Sequence, residues 1–458
     1  MAKSRKLAKH LPTLQRRRRF YIDATAGSDS NSGRSPSDTW QTIGKANAGG
    51  LRAGDRCLLK RGETWTGTRI TAVHGVTYGT YGSGAKPVID GNDTVDGCAV
   101  GSGKGHVRFE NIKVIKALDY GFSCLDCFAV TLYHCESDGH GNDGALFMTG
   151  ARNCKVQGGT YQNAYQRIAG PTVTGIEVAD GAHDITIDGP TCAGNAGAGI
   201  SIHSHVDTSM PYNVTVSGAV CTHNNEYGIY ILKQDPTVDA DRNIRLVNCE
   251  TYDNNEVTGL GAGIRLTTSS AALNGISITS CRSYNNKDRP VYIKAHHVTC
   301  SRCVFADGAS SQCNDASDVA FYNCVFYQAS KTPFDVRGVT DGVVCRNCIF
   351  ARNEAAEVIS IITTTNVDID YCLYYTTGPI TSGFWRWGAS WYNWTNWLLN
   401  SGMDAHSPSP ADPLFTNPTA DDYTLNAASP AIDAGVVVEG LIESYLGAGV
   451  DIGAYETA

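Results

Sequence analysis

A cysteine returns about once every twenty to thirty residues along much of this chain, each time in the same local setting. The segments RNIRLVNCETYDNN, NGISITSCRSYNN, HHVTCSRCVFADG, SDVAFYNCVFYQA, DGVVCRNCIFARN and TNVDIDYCLYYTT carry Cys249, Cys281, Cys303, Cys324, Cys348 and Cys372, and FAVTLYHCESDG carries Cys135. Apolar residues alternate ahead of each one, the pattern of a strand with one buried face. Four of them are followed ten residues later by a further inward position: Val291, Cys313, Phe334 and Val358. A fixed period with strands at fixed offsets means stacked coils. Coils this short leave no room for a crossover helix, so equivalent strands must lie in register, about 4.8 Å apart. The spacing therefore predicts an all-β chain. It is a right-handed, single-stranded parallel β-helix of about twelve coils between Arg69 and Tyr375, roughly 55–60 Å long.

A solenoid grows without splitting, so 458 residues need not mean several domains. The 49 glycines and many Asn and Asp residues suit a tight turn at every corner. The apolar stretches are too short to cross a membrane. Seventeen cysteines cannot all pair. Their recurrence at inward positions makes them small apolar fillers, and side chains on adjacent coils point in parallel, which disfavours disulfides. Cys300/Cys303 and Cys345/Cys348 have the CxxC spacing of zinc or redox pairs, but both members of each pair fall on the ladder, and no metal site is expected. Many reduced cysteines suit folding in a reducing cytoplasm.

Residues 1–19 form a basic arm with Lys3, Arg5, Lys6, Lys9, Arg16, Arg17, Arg18 and Arg19 and no acid, whereas acids outnumber bases in the rest of the chain. No apolar run follows, so the arm is not read as a secretory signal. It is either a solvated tail or, with Leu7, Leu11 and Leu14 on one edge, a docking peptide for an acidic partner protein. Nucleic acid ranks below that, because the acidic body continues no basic path.

The segment FYIDATAGSDSNSGRSPSDTWQTIGKANAGGLRAGDRCLLKRGETWTG resembles the N-terminal capping region of right-handed β-helix proteins of the pectate-lyase-like superfamily. The helix that closes the core would be Thr39 to Ala48. The segment from WTNWLLNSGMDAH to DIGAYE is similar to the closing region of many bacterial and phage β-helix proteins. The implied layout is an N-terminal capping segment at 20–95, coils at 96–378 and a C-terminal, Trp-rich cap at 379–458. Five tryptophans between Trp385 and Trp397 fit that cap, although exposed rings are also platforms for sugars.

Aligning TGIEVAD, AGISIHSHVD, YGIYILKQD, AGIRLTT, PVYIKAHH and PFDVRG points Ile176, Ile200, Ile229, Ile264 and Val291 inward. Glu177, Ser201, Tyr230, Arg265, Tyr292 and Asp335 then form one outward column. A second column holds Ala179, His203, Leu232, Thr267, Lys294 and Arg337. The bland reading is a mixed polar exterior; the alternative is a surface for an acidic polysaccharide, with Glu177, Tyr230, Tyr292 and Arg337 as binding residues. β-Elimination needs a base for the C5 proton and a cation for the substrate carboxylate, roles open to Lys294 or His203 and to Arg265. The superfamily resemblance implies basic residues on such a face, often with calcium. Hydrolysis needs two carboxyl groups close together. The candidates are Asp138 and Asp143, or Asp180, Asp207 and Asp235, all of which also read as corner residues.

β-Helix proteins of this kind work on extended glycans outside cells, yet no export signal is read here. Resemblance to bacteriophage tailspikes reconciles the two. It implies a virion protein made in the host cytoplasm, a homotrimer fixed to other particle proteins by the arm, that binds bacterial surface polysaccharide with or without cleaving it. The alternatives are a non-catalytic structural or adhesive particle protein and a bacterial polysaccharide lyase or glycoside hydrolase.

Overall fold

A computed structural model of the chain describes residues 17–457 except 166–172, 206–207, 235–240, 255–260, 269–272, 364, 380 and 443. It is an all-β parallel β-helix with three faces. Each coil visits a first, a second and a third sheet in turn. The first runs from Arg19–Ile22 and Arg56–Lys60 to Asp368–Asp370, with 14 strands. The second runs from Thr64–Thr66 to Leu373–Thr376, with 13. The third begins at Ile70–Thr71 and ends with Trp385–Trp387 and an antiparallel strand, Ser390–Tyr392, with 14 in all. Stacking thus begins at Arg56, well before residue 96. The capping helix spans only Ile43–Asn47, with Thr42 accepting from the Lys45 amide, because Trp40 bridges to Ile22 and keeps residues 39–42 extended.

The recurring cysteines have a local cause. The chain turns from the first to the second sheet through a single residue with left-handed backbone: His134, Asn248, Ser280, Arg302, Asn323, Asn347 or Tyr371. The next residue is Cys135, Cys249, Cys281, Cys303, Cys324, Cys348 or Cys372. Each Sγ lies within hydrogen-bond range of the carbonyl two residues back. A small apolar side chain with a weak donor both fills the corner and adds a second contact to a carbonyl that, in six of the seven, already accepts a backbone amide of the preceding coil. All seventeen cysteines are buried and none forms a disulfide. Burial pushes the Cys57 and Cys135 thiols up to about 12. Titration of the native protein with a thiol reagent is therefore expected to find almost no reactive group, and denaturant should release all seventeen. Two or more fast-reacting thiols in the folded protein would contradict this packing.

The next corner carries a different ladder. Two residues after the second-sheet strand stand Asn195, Asn224, Asn254 and Asn286, all buried. The side-chain amides of the first three donate to the next Asn oxygen at 2.8–3.0 Å, and further bonds from Asn224, Asn254 and Asn286 hold the carbonyls of Cys192, Cys221 and Thr251. His140 occupies the same step earlier in the stack, bonded to Ser137 and the Thr174 carbonyl. These ladders fix where the third-sheet strands begin.

The inward positions after the cysteines are all buried, but they are not one ladder. Val291 and Phe334 flank Ser311, whereas Cys313 stands two residues on, between Ile293 and Val336. Phe334 pairs with Ile359, not Val358. At the far end, the helix Trp394–Ser401 covers the last coil, with Trp385, Trp394 and Trp397 in the main core. Asp404 accepts there from Tyr374 and Trp397. Residues 411–442 and 444–455 do not extend that cap. They fold back along the second sheet, where Phe415, Tyr423, Leu425 and Ile452 cover the outward row Val304, Val325, Ile349 and Leu373.

The basic run divides. Arg19 lies in the first strand, paired with Arg56, and Arg18 is ion-paired with Asp55. Arg17 is exposed, and Arg16 lies outside the described residues.

Candidate functional site

The third sheet presents the outward columns expected from the sequence. Strand register aligns Glu177, Ser201, Tyr230, Arg265 and Tyr292 on consecutive coils. The alignment from sequence lacked one coil: Gln312 stands between Tyr292 and Asp335, and Asn314 precedes Arg337. SQCN has only one apolar step, too little to register as a strand beside its neighbours.

Part of this outer face is unexpectedly dry. Glu177 is 3% exposed, His203 2% and Asp143 0%. Ionisable groups are seldom fully buried, least of all on the outside of a solenoid. Asp143 begins the strand Asp143–Met148 just after the corner, and its Oδ1 accepts from the Thr174 amide (3.1 Å) and hydroxyl (2.9 Å). Burial pushes its carboxyl up to about 7, with Glu177 as a hydrogen-bonding neighbour. His203 Nε2 is 3.7 Å from Glu177 Oε1, and its Nδ1 is 3.1 Å from the Ser201 hydroxyl. Burial, and then the nearby His205, lower His203 to about 4, so the ring is neutral near pH 7. His205 stacks edge-on to it at 4.9 Å and bonds Asp180 at 3.0 Å. Although burial works to raise Asp180, hydrogen bonds from Thr208 and His205 hold it below the ordinary carboxylate range.

A cavity of about 190 Å³ opens beside this cluster, lined by His203, His205, Glu226, Tyr227, Tyr230, Leu232 and Gln234. Tyr227 and Tyr230 stack at 4.4 Å. The Arg265 guanidinium lies 5.5 Å from the Tyr227 ring centre and 4.7 Å from that of Tyr292. Glu226 is raised by burial against the pull of Arg265. The lining is thus aromatic on one side and titratable on another, with the Arg265 cation over the ring of Tyr227.

Not every expected residue joins this cluster. Lys294 is ion-paired with Asp315 at 3.3 Å and lies three coils from His203, about 14 Å along the stack. Arg337 is ion-paired with Asp335, which also accepts from Gln312, and Tyr292 is held by Asn314. Asp138 is on the second sheet, engaged by Lys113 and Asn163, and so is no partner for Asp143. Asp180 sits at a left-handed corner, as a turn residue would. Asp207 and Asp235 lie outside the described residues. Sequence reasoning missed Glu226, Tyr227, His205 and Thr174. Glu226 precedes the aligned strand and Tyr227 opens it in NNEYGIY, where a corner residue and a wall residue look alike.

Among the described residues no group of three or more His, Cys, Asp or Glu side chains is placed to hold a metal ion. A calcium site of the kind the superfamily resemblance implied is therefore not found among them. No described helix is long and apolar enough to cross a membrane.

The family model for the right handed beta helix region matches residues 97–271 and 237–393. No curated protein matches the chain significantly. Similar solved structures include the pectate lyase Pel9A, with 16% identity, TM-score 0.50, 96% of this chain and 97% of that one. The A-module of the Azotobacter vinelandii mannuronan C-5 epimerase AlgE6 has 14% identity and TM-score 0.44, over 80% of this chain and 92% of that one. A GH136 lacto-N-biosidase from Eubacterium ramulus has 12% identity and TM-score 0.43, over 81% and 67%.

Proposed function

The chain belongs to the right-handed β-helix family, and from that premise we propose that it is a polysaccharide-cleaving enzyme working on the outer face of its third sheet. One observation carries the reading. Three buried titratable groups form a row in which Asp143 neighbours Glu177, Glu177 neighbours His203, and His203 lines an open cavity with a tyrosine wall. A purely structural or adhesive rod has no need of them. Tyr227 and Tyr230 offer stacking surfaces for sugar rings, and Arg265 favours a substrate that bears a carboxylate.

Elimination is the route these groups support first. Neutral His203 removes the C5 proton of a uronate, and Arg265 stabilises the charge that develops on the carboxylate. The C4–O bond then breaks, a C4–C5 double bond forms and the departing oxygen takes up a proton. The Lys294 alternative loses ground, because that amine is engaged by Asp315. Hydrolysis is the second reading, favoured by one specific fact: burial pushes the Asp143 carboxyl up to about 7 beside Glu177, and a general acid needs such a raised value.

Tailspike identity and a homotrimer would place the same site on a particle. Docking would then rest chiefly on residues before Arg18, since Arg18 and Arg19 belong to the folded body.

The test is incubation with acidic and neutral bacterial surface polysaccharides, following fragment size and the ultraviolet absorbance of unsaturated uronates. Shortening with new absorbance supports elimination; shortening without it supports hydrolysis. Binding without shortening, or no response to a broad panel, would overturn the enzyme reading in favour of a structural or adhesive protein.

A further inference from the structure

Four of the five clustered tryptophans cover the end of the solenoid, and one does not. Trp385, Trp394 and Trp397 are buried, and Trp387 packs edge-on to Trp397. Trp391 is 54% exposed. Strand register decides where it points. Ser390–Tyr392 pairs antiparallel with Trp385–Trp387, placing Trp391 opposite Arg386, and directly opposed residues share a face. Arg386 stands next to Ser360, which follows Asp335 and Gln312 in the outward column. Trp391 is therefore on the face that holds Tyr230, and Arg386 is six coils beyond Tyr230, about 29 Å along the stack at the usual strand spacing.

The ring is also held in place. Its indole N–H donates to Glu357 at 3.1 Å, and the Arg386 guanidinium sits 4.6 Å from the ring centre. Closing the solenoid needs only the buried tryptophans. A large ring oriented by a hydrogen bond and a cation yet left half in water adds little to the core; it is preorganised for a flat, partly apolar ligand. Between the two ends of the face, Lys294, Asn314 and Arg337 occupy the adjoining column and offer polar contacts along the way.

We propose that Trp391, with Arg386, is a distal saccharide-binding subsite that receives the far part of the polysaccharide chain engaged at Tyr230. The inference rests on the polysaccharide reading above and sharpens it: the ligand is a long polymer lying along the stack. A mono- or disaccharide cannot touch both ends. A second copy of this chain is the competing occupant.

Sized fragments of polygalacturonate, alginate and a neutral glucan, each from disaccharide to polymer, test this with wild type, Trp391→Ala, Trp391→Phe and Tyr230→Ala. The expected result for Trp391→Ala is polymer affinity about three- to tenfold weaker, with di- and trisaccharide binding unchanged. Trp391→Phe should recover most of the loss, and the melting temperature should not move. Tyr230→Ala should weaken fragments of every length. Unchanged polymer affinity in Trp391→Ala, with Tyr230→Ala still defective, would overturn the distal subsite alone. So would a change in sedimentation mass in Trp391→Ala with glycan affinity intact, which would assign the ring to self-association. Failure of wild type to bind any of these fragments would overturn both this inference and the reading beneath it.

Discussion

Ile264→Asp is expected to yield no soluble folded protein, whereas Ile264→Val should fold and melt only slightly lower. Ile264 is fully buried between Ile229 and Val291 in the ladder that lines the third sheet. A carboxylate there would meet apolar neighbours from its own coil and the coils on either side. An unpaired buried charge belongs to the substitutions that exceed about 4–5 kcal/mol, a large share of a native stability of about 5–15 kcal/mol. The loss would not stay local. Each coil buries its edge only against its neighbours, so one coil that cannot close leaves two unpaired strand edges in every sheet. Ile264→Val removes one methylene and should cost about 0.5–1.5 kcal/mol. A soluble Ile264→Asp protein with the wild-type melting temperature would mean that Ile264 does not face the core.

The inward register was legible because the two signals behind it are strong. Apolar alternation has a period of two, and a corner cysteine repeats that frame on seven coils, those of Ile264 and Val291 among them. Together they placed Ile176, Ile200, Ile229, Ile264 and Val291 on one ladder, as the strand pairing has them. The coil through Gln312 escaped, since SQCN offers no second aliphatic to anchor the alignment. The asparagine ladder is visible afterwards in HNNE, DNNE and YNNK, but a stacking amide and an ordinary turn residue have the same composition. The course of the C-terminal segment also had a signal. CVFA, CVFY, CIFA and CLYY are apolar at consecutive positions, which means burial on both faces, and Phe415, Tyr423, Leu425 and Ile452 supply the second cover.

The site was harder to read, for a physical reason. Outward columns state which side chains share a face, and Glu177, His203, Tyr230 and Arg265 do. They do not state which of these groups water reaches. That depends on the corners, where Thr174 stands at the head of TGIEVAD and Asp143 and Glu226 enter from outside the aligned segments. Lys294 and His203 look equivalent as bases in a list of columns; in space one is held by Asp315 and the other is buried beside Glu177.

His203→Gln is the second decisive variant, with cleavage expected to fall about 10²–10⁴-fold, the usual span of a general acid or base. Its pH dependence separates the two chemistries. With neutral His203 as the base, wild-type activity rises as pH increases through about 4 and is kept above 7. With protonated Asp143 as the acid, activity declines as pH increases through about 7, and Asp143→Asn is the inactive variant. The same shifts act on stability with opposite signs. His203 has a folded value of about 4, below its ordinary 6.5, so unfolding takes up a proton between these values and stability rises with pH across that window. Asp143 has a folded value of about 7, above its ordinary 3.8. Unfolding therefore releases a proton, and stability falls as pH rises through that window. In wild type the two slopes oppose each other between about 4 and 6.5, and the melting temperature should be nearly flat there. In His203→Gln the Asp143 slope loses its counterpart, while buried His140 (down to about 4) and Asp404 (up to about 7) still offset each other, so the melting temperature should decline steadily from about pH 4 to 7. Asp143→Asn should show the reverse, a rise up to about 6.5. Flat profiles in both variants would mean that neither group is held away from its ordinary protonation. A wild-type rate in His203→Gln would remove that ring from the chemistry and leave the carboxyl pair to perform it.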